Sequence, residues 1–433
     1  MDLLAVAVAG IVLMLVLVLL GVNVGLSMFI SGFLGYAFLR GFDASVSILG
    51  TYTVSTSMNY SMTVIPLFVL MGQFVYGSGI SDDLFRSTRV WFGRRRGALA
   101  YAGVISCTMF GAICGSLAAT TATMSRVAKP IMKEHGYKDE IIGGCLACSG
   151  TLGALIPPST QFILYGVMAE VSIGKLFAAG VFPGIVSAIC FCGVIFFWCR
   201  FDPALCPSSD TYNWKEKIKA LSGVWRMLLL FTIVLGGMFS GVFSVTESAA
   251  VGVVIAFIIM VLRKKCTKEN IKRCAFDTIA TTGMVMLSIV GAGVFGCFIT
   301  LTRLPSAIAE GIQELSVSPV LVVAMIIMIY SLLGCIMDTL ALILLSIPIF
   351  MPLIETLGLD PVWFGVILIM IMNLGAVTPP IGLSCYVASG VTGIELNKVF
   401  KGALPFLAAF FIAFIIILLI PDISLFLPGL LYK

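Results

Sequence analysis

The sequence predicts an all-α, polytopic membrane protein made of two inverted repeats, each with a re-entrant helical hairpin and a broken transmembrane helix. Hydrophobic residues make up 60% of the 433 residues and charged residues only 11%, with a mean hydropathy of +1.13. Apolar runs near the ~20 residues that cross a bilayer recur along the whole chain, which excludes a soluble domain. Two double prolines, starting at Pro157 and Pro379, interrupt such runs 222 residues apart.

Composition also limits the classes of function. The net charge of +5 comes from basic residues clustered in a few loops, so it indicates membrane topology rather than nucleic-acid binding. Most of the 13 cysteines lie in apolar runs, where Cys145 and Cys148 are expected to pack helices rather than form a redox pair. His135 is the only histidine, and neither H-E-x-x-H nor G-x-S-x-G occurs, which disfavours a membrane-embedded enzyme.

The first repeat is predicted over residues 1–200, with its leading helices within residues 1–77. The apolar run Leu3–Leu20 is interpreted as a retained first helix, because no basic residue precedes it. Residues 81–96, here called the first arm, combine arginines with apolar residues in the pattern of an amphipathic helix at a membrane surface. A hairpin at 97–132, a broken helix at 139–170 and a helix at 176–200 follow.

A cytoplasmic linker at 201–223 leads into the second repeat, predicted over residues 224–425. The offset of 222 residues pairs Pro130 with Pro352 and Ser116 with Asp338, as well as the double prolines. One offset that matches prolines and polar positions across several elements indicates an internal repeat. The elements are leading helices at 224–263, a helix at 276–300, an arm at 303–316, a hairpin at 319–353, a broken helix at 361–390 and a helix at 403–425.

Basic residues give the two repeats opposite orientations. Arg86–Arg96 precede the first hairpin and Lys129–Lys138 follow it, so both ends of this hairpin are expected in the cytoplasm. The second hairpin contains no basic residue and lies between Glu314 and Glu355, so it is expected to enter from the periplasm. Both termini are then periplasmic, and Arg40 is the basic residue that fits this scheme poorly.

The double prolines predict breaks that expose backbone polar groups inside the membrane. Proline has no N–H, so the carbonyls of Ser149–Ala154 and Asn373–Thr378 are expected to lose helical donors. Such backbone is tolerated in a membrane only where it lines a cavity or is buried in protein. Carbonyl and hydroxyl oxygens suit Na⁺, and the helix starts beyond the prolines suit an anion. The alternative is that both breaks are kinks that serve packing alone.

Each hairpin turns at a polar tip. Ser116 lies at the first tip, with Thr120 on the outgoing helix. Asp338 lies at the second tip and is the only charged residue between Glu314 and Glu355. A carboxylate at membrane depth costs ~2.5–3.5 kcal/mol, so a bound cation is expected to compensate its charge. The alternative is that Asp338 only caps the following helix.

Several stretches resemble the large membrane subunit of the tripartite ATP-independent periplasmic (TRAP) transporters, and the resemblance covers essentially the whole chain. They are I-P-L-F-V-L-M-G (65–72), R-R-R-G-A-L-A (94–100), F-G-A-I-C-G-S-L-A-A-T (110–120), P-I-M-K-E-H-G-Y (130–137), I-P-P-S (156–159), G-V-F-S-V-T-E-S-A-A-V (241–251) and the G-x-x-x-D and T-P-P-I-G motifs of the second repeat. The resemblance implies an elevator-type architecture, in which a static scaffold holds a transport domain that carries the two hairpins across the membrane.

The resemblance also implies cargo and partners. It implies uptake of a small organic anion, usually a carboxylate, coupled to two or more Na⁺ ions, across the bacterial cytoplasmic membrane. In this family a periplasmic substrate-binding protein delivers the anion. A small four-helix membrane subunit, expected here as a separate polypeptide, completes the transporter. C4-dicarboxylates, sugar acids and sulfonates all remain open as substrates.

Carried over by position, the resemblance implies two sodium sites, each between a hairpin tip and a broken helix. The departure from the family at the first tip is Cys114, where serine is usual, and a thiol is a poor Na⁺ ligand. The expected ligands are Ser116, Gly153, Ser159 and Thr160 in the first site, and Asp338, Thr339, Asn373 and Thr378 in the second. The anion is expected at the helix starts beyond the double prolines and at a nearby hydroxyl. The residues expected to bind it are Thr120, Pro157, Pro158, Pro379, Pro380 and Gly382.

Other interpretations remain open. A transporter of similar architecture could need no binding protein and could couple to Na⁺, or to H⁺ through Asp338. A purely structural membrane scaffold is a further alternative, and its hairpin tips would be replaceable. Arg126 is a candidate basic ligand for the anion near the first hairpin, although its side chain could instead extend to the cytoplasmic interface.

Overall fold

The structure, a computed structural model, describes residues 3–202, 207, 211–314, 319–335 and 337–432. These residues form twenty α-helices joined by turns, with a 3₁₀ turn at Tyr60–Thr63. The first ten are α1 (Leu3–Leu19), α2 (Val24–Arg40), α3 (Phe42–Met58), α4 (Val64–Ser78), α5 (Ile80–Phe92), α6 (Ala98–Cys114), α7 (Leu117–Glu134), α8 (Asp139–Leu155), α9 (Thr160–Met168) and α10 (Ile173–Phe201). The others are α11 (Trp214–Phe239), α12 (Val245–Leu262), α13 (Lys268–Leu301), α14 (Leu304–Glu314), α15 (Pro319–Gly334), α16 (Thr339–Thr356), α17 (Pro361–Gly375), α18 (Leu383–Thr392), α19 (Leu396–Leu419) and α20 (Asp422–Leu431).

Many of these helices suit a membrane. Within the described ranges, seven are long and apolar enough to cross a bilayer. The pair α8–α9, bent by 40° at its break, counts as an eighth span. The sequence prediction of an all-α, polytopic membrane protein is therefore confirmed.

Helix α3 was not predicted in full. Its sequence, F-D-A-S-V-S-I-L-G-T-Y-T-V-S-T-S-M, is rich in serine and threonine, so its hydropathy is low and residues 42–50 gave no helix signal. Asn59 ends the helix, because its side chain Oδ1 accepts a hydrogen bond from Ser61 N at 2.9 Å and begins the 3₁₀ turn. The predicted segment 51–77 is thus the end of α3 followed by α4.

Other boundaries also differ from the prediction, and helices α13 and α19 begin at Lys268 and Leu396 rather than at residues 276 and 403. Helix α11 begins inside the predicted linker 201–223, because Asn213 and Glu216 form a capping box. The first arm ends at Phe92 rather than at residue 96, since Gly93 turns the chain with φ of 52°. The predicted helix 403–425 ends at Leu419, and Pro421 starts α20.

Leading helices of the first half pack against helices α12 and α13 of the second half through glycines. Helix α2 lies along α13, where a Cβ at Gly32 would be 2.6 Å from the Cα of Phe295. Helix α4 packs in the same way against α12, with Gly252 facing Met71. Small residues let membrane helices approach closely and gain van der Waals contact. Of these helices, the resemblance assigns α2, α4 and α12 to the scaffold, and α13 packs against both α2 and α4.

The first arm is tied to this body by polar contacts. Helix α5 packs against α11, and Ser87 donates its hydroxyl proton to the carbonyl of Ala220 at 2.7 Å. Arg263, at the end of α12, pairs with Asp83 and donates from Nε to the carbonyl of Ser78 at 2.8 Å. The turn between α4 and α5 is therefore fixed to α12.

Each hairpin packs on the broken helix of its own half through a glycine pair. In the first half, α6 meets α8 where a Cβ at Gly153 would lie 2.7 Å from the Cα of Gly111. In the second half, α15 meets α17 where a Cβ at Gly375 would lie 2.7 Å from the Cα of Gly334. The sequence offset pairs Gly153 with Gly375, and each of these glycines contacts a glycine of its own hairpin.

The outgoing hairpin helices pack on the opposite half. Helix α7 lies against α18, and Lys129 Nζ donates a hydrogen bond to the carbonyl of Thr392. Helix α16 lies against α9, where the Tyr165 hydroxyl oxygen is 3.4 Å from the sulfur of Met351. The first half's hairpin therefore packs on the broken helix of the second half, and the second half's hairpin packs on the broken helix of the first half.

Candidate functional site

The first hairpin tip is a capped turn. Ser116 is the N-cap of α7, and its Oγ accepts a hydrogen bond from Ala119 N at 3.4 Å. Gly115 precedes it with φ of 62°, and a Cβ there would lie 2.9 Å from the carbonyl oxygen of Pro158. The tip therefore rests directly on the first double proline.

Hydroxyl groups close the first break. The peptide bond between Pro157 and Pro158 is cis, and both prolines are buried. The Ser159 hydroxyl donates to the carbonyl of Ala154. Thr160 donates twice to the carbonyl of Gly115, from its hydroxyl at 2.8 Å and from its N–H at 3.3 Å. Hydrogen bonds of this kind tie the broken helix to the hairpin tip.

The free carbonyls of the first break are fewer than the sequence predicts. Helix α8 continues to Leu155, and Ile156 N still donates to the carbonyl of Leu152 at 3.0 Å. The carbonyls of Ser149 to Leu152 therefore keep their helical partners, and Ala154 accepts from Ser159. Within Ser149–Ala154, the Gly153 carbonyl alone has no donor among the described hydrogen bonds, because Pro157 has no N–H.

Two buried hydroxyls face this part of α8. Thr120 and Thr121 on α7 are fully buried, and neither hydroxyl oxygen has a hydrogen-bond partner in the described structure. A Cβ at Gly153 would lie 2.8 Å from the Thr120 oxygen, so this oxygen and the Gly153 backbone are neighbours. Buried polar atoms without partners are rare, which marks this contact as a place for a ligand.

The second hairpin tip carries a carboxylate without a counter-ion. Asp338 is the N-cap of α16, and its Oδ2 accepts a hydrogen bond from Leu340 N at 3.1 Å. The capping alternative is therefore observed, yet the side chain is also exposed and no basic residue in the described ranges forms an ion pair with it. Thr339 is buried beside it.

The second break is closed by its own backbone. The peptide bond between Pro379 and Pro380 is cis, and both prolines are exposed, unlike the first pair. Thr378 donates its hydroxyl to the carbonyl of Leu374 at 2.8 Å and its N–H to that of Gly375 at 3.0 Å. No described hydrogen bond reaches the backbone carbonyl of Asn373.

Gly382 then starts α18. It is buried and has φ of 53°, and a Cβ there would lie 2.7 Å from the ring of Phe400. A side chain at this position would therefore clash as well as strain the backbone. Glycine here allows the chain to re-enter a helix directly after the second double proline.

Both tips reach one cavity of about 270 Å³. Helices α4 and α13 form one wall, and the hairpin tips and α9 form the other. The polar side-chain groups in its wall are hydroxyls, one amide and the Cys114 thiol, and no basic residue lines it. The lining residues are Ile65, Val69, Gly72, Gln73, Cys114, Ser116, Ala118, Ala119, Thr160, Ile163, Thr281, Val285 and Leu340.

The cavity only partly matches the predicted residues. Of the predicted sodium ligands it includes Ser116 and Thr160, and none of the six residues predicted to bind the anion lines it. Gln73 and Thr281 line it but were missed, because single polar residues in apolar helices give no signal of which face they occupy. Arg126 lies elsewhere, exposed, and donates to the Tyr76 hydroxyl at 3.4 Å.

A buried amide pair was also missed. Gln161 Nε2 donates to Asn373 Oδ1 at 3.3 Å, and Asn373 Nδ2 donates to Gln161 Oε1 at 3.1 Å. The two side chains are 4% and 0% exposed. The sequence offset gave no hint of this pair, because Gln161 corresponds to Leu383 in the second half.

The oxygen atoms at the two tips are suitable ligands for an alkali cation. Hydroxyls, backbone carbonyls and one carboxylate are hard donors, which hard cations prefer. Within the described residues, no group of three or more His, Cys, Asp or Glu side chains gathers in the way that transition-metal sites require. A helical membrane protein with two broken helices and two hairpin tips at a common cavity has the architecture of a secondary transporter.

Comparison with known proteins places the chain in a family of that class. It matches the model "Tripartite ATP-independent periplasmic transporter, DctM component" over residues 11–423, and it belongs to this family. It is thus a TRAP transporter large permease and a multi-pass protein of the bacterial cytoplasmic membrane. This family membership agrees with the expectation that the chain is not an enzyme.

Individual proteins that the chain resembles are also transporters or transporter subunits. The chain is 35% identical over 388 residues to the C4-dicarboxylate TRAP transporter large permease protein DctM of Pseudomonas aeruginosa, covering 89% of this chain and 90% of that protein. It is 31% identical over 373 residues to the sialic acid TRAP transporter large permease protein SiaM of Vibrio cholerae, covering 86% and 87%. The YdaH transporter of Alcanivorax borkumensis shares the fold, with a TM-score of 0.58 at 14% identity over 90% of this chain and 88% of that one.

Proposed function

We propose that this chain imports a small organic anion together with Na⁺, by an elevator movement of the hairpins and broken helices against the scaffold. The observation that carries the proposal is the cavity shared by the two hairpin tips. One wall belongs to α4 and α13 and the other to the hairpins and α9. A binding site between two such bodies can be exposed to either side when one slides along the other.

Na⁺ is proposed as the coupling ion because the tips offer oxygen ligands and an uncompensated carboxylate. Ser116, the Gly153 carbonyl, Ser159 and Thr160 would hold one ion, and Asp338, Thr339, Asn373 and Thr378 a second. Thr120 Oγ1 is a buried oxygen without a partner beside the first group. Bound cations would supply positive charge beside a cavity that has no basic residue.

The anion is proposed to be small. The cavity volume of about 270 Å³ lies just below the ~300–1,000 Å³ typical of drug-sized ligands. Relatives are named for C4-dicarboxylate and sialic acid, which are carboxylates, and for isethionate, which is a sulfonate, so an organic anion is the common chemistry. A periplasmic binding protein and a small four-helix membrane subunit are the proposed partners, following the tripartite organisation of the family.

The test is uptake by proteoliposomes that contain the large and small subunits, with the binding protein and a panel of labelled C4-dicarboxylates, sugar acids and sulfonates. An inward Na⁺ gradient should drive uptake, whereas K⁺ or H⁺ gradients should not. Uptake without binding protein, or driven by H⁺ alone, would favour the alternative transporter that needs no binding protein.

A matched pair of variants tests the carboxylate. Asp338→Asn should abolish Na⁺-driven uptake, because asparagine caps a helix equally well but carries no charge. Asp360→Asn is the control, since Asp360 caps α17 through Val362 N and Trp363 N at 2.7 and 3.1 Å and belongs to neither hairpin tip. Na⁺-driven uptake of wild-type rate by Asp338→Asn would refute a charged ligand at the second tip.

A further inference from the structure

A buried side-chain pair joins the two breaks directly. Gln161 is the second residue of α9, just beyond the first double proline, and Asn373 lies near the end of α17, just before the second. Their amides exchange hydrogen bonds at 3.1 and 3.3 Å across 212 residues of sequence. Both side chains are buried, so water does not compete for these bonds.

Gln161 is adjacent in sequence to a proposed cation ligand, and Asn373 is itself one. Gln161 follows Thr160, which holds the first tip through the Gly115 carbonyl. The backbone carbonyl of Asn373 is an oxygen left without a donor in the second break, among the described hydrogen bonds. A shift of either break therefore moves an amide on which the other break depends.

Breaking the hydrogen bonds between Gln161 and Asn373 costs free energy. Each amide group would lose a donor and an acceptor contact inside the protein, and a buried polar group left without a partner costs ~1–3 kcal/mol. Because water is excluded from the pair, no ready replacement partner exists, and the two breaks are expected to move together or not at all.

Resting on the proposed function, we propose that Gln161 is a positioning residue that couples the two cation sites, so that occupation of one site favours occupation of the other. In this proposal Asn373 contributes its backbone carbonyl to the second site, while its side chain holds Gln161. The sites then respond to Na⁺ as a unit, although neither shares a ligand with the other.

The experiment measures Na⁺ titrations of two properties of the purified protein: the thermal unfolding temperature, with choline as the inert salt, and uptake in proteoliposomes. Wild type should show a cooperative response, with a Hill coefficient approaching the number of coupled ions. Gln161→Met, which keeps the side-chain length, should raise the half-saturating Na⁺ about tenfold, the ratio that ~1.4 kcal/mol produces. Its Hill coefficient should fall towards one in both measurements.

Two further variants separate coupling from simple packing. The exchange Gln161→Asn with Asn373→Gln keeps all the atoms of the pair and should restore the cooperative response that either single change removes. Tyr165→Phe is the matched control: it removes another buried bond from α9 to the second half, the 2.7 Å bond to the Pro361 carbonyl. Tyr165→Phe should lower thermal stability and leave the Hill coefficient unchanged.

The outcomes are distinguishable. If wild type responds cooperatively to Na⁺ and Gln161→Met responds identically, the coupling role is refuted and the proposed function stands. A restored stability without a restored Hill coefficient in the exchange variant also refutes it. If wild type shows no response to Na⁺ in either measurement, the proposed function itself fails. Should Gln161→Met not fold, Gln161→Asn serves as the single variant.

Discussion

At the scale of single residues, Gly115 holds the first hairpin tip on the first break. Its φ of 62° favours glycine, and a Cβ would lie 2.9 Å from the Pro158 carbonyl oxygen. Gly115→Ala should therefore add ~1–2 kcal/mol of backbone strain and push the tip away from Thr160. We expect slower uptake and a weaker stabilisation by Na⁺, measured by transport assay and thermal unfolding.

Gly358→Ala is the control for this change. Gly358 has a similar φ of 67°, but a Cβ there would have no neighbouring atom within 4 Å, so the substitution adds strain without a clash. It should lower stability by a similar amount and leave the Na⁺ response intact. Equal loss of Na⁺ response in both variants would show that strain, rather than the contact with Pro158, is responsible.

The hydroxyl of Thr120 gives a second test at this scale. It is buried without a hydrogen-bond partner in the described structure, so removing it should leave stability unchanged or slightly raised if it binds nothing. If it faces a bound cation, Thr120→Val should raise the half-saturating Na⁺ for uptake several-fold. Thr278→Val, whose hydroxyl bonds its own helix at 2.7 Å, is the control and should leave that value unchanged.

The sequence predicted some of the site's residues for a physical reason. Ser116 and Asp338 are polar residues at tips in otherwise apolar stretches, so their cost in a membrane makes them visible. Gln161, Gln73 and Thr281 are equally polar, but their roles depend on partners brought from distant helices. That information is tertiary, and neither spacing nor the internal offset contains it.

At the scale of elements, Arg263 anchors the first arm. It pairs with Asp83, and its guanidinium also donates to the carbonyls of Ser78 at 2.8 Å and Gly79 at 3.2 Å. The Arg263 and Asp83 side chains are 18% and 23% exposed, so water screens the pair only in part. Arg263→Met should therefore lower the free energy of unfolding by ~1.5–3 kcal/mol, the range for hydrogen bonds to charged groups.

Lys133→Met provides the comparison. Lys133 pairs with Asp139 at 2.6 Å, but its side chain is 56% exposed, and surface pairs contribute ~0–1 kcal/mol. Denaturant unfolding of both variants should separate them clearly. Wild-type stability of Arg263→Met would mean that the arm is held by its apolar contacts with α11 alone.

The two breaks and the two hairpin tips were predictable, whereas several helix boundaries were not. The two breaks and two hairpins follow from double prolines and from polar tips, which act locally. Helix α3 was missed in part because its stability comes from neighbours such as α2 and α13 rather than from hydropathy. The end of α19 was missed because Pro421 follows an unbroken apolar run.

At the scale of the whole molecule, the contact between α4 and the first tip tests movement. A Cβ at Gly72 would lie 3.3 Å from the Cα of Cys114, so Gly72→Cys places two thiols across the boundary between scaffold and hairpin. Cd²⁺ should bridge them and stop uptake, and a chelator should restore it, because the proposed elevator movement would separate these positions.

Two controls exclude effects of the other cysteines. The wild-type protein contains every native cysteine but lacks the one introduced at position 72, so it should keep its uptake in the presence of Cd²⁺. Gly72→Cys combined with Cys114→Ala should also resist Cd²⁺. Full uptake by Gly72→Cys with both thiols demonstrably bridged would contradict sliding at this boundary.

The exchange of contacts between the halves has a consequence for how the chain is made. Lys129 on α7 bonds to Thr392, which follows it by 263 residues in sequence, and Gln161 bonds to Asn373, which follows it by 212 residues. The first half therefore enters the membrane before the groups that satisfy its polar breaks have been synthesised. The first half is therefore expected to pack fully only after the second half has been synthesised and inserted. Premature termination anywhere before α18 should leave a product for membrane quality control rather than a smaller transporter.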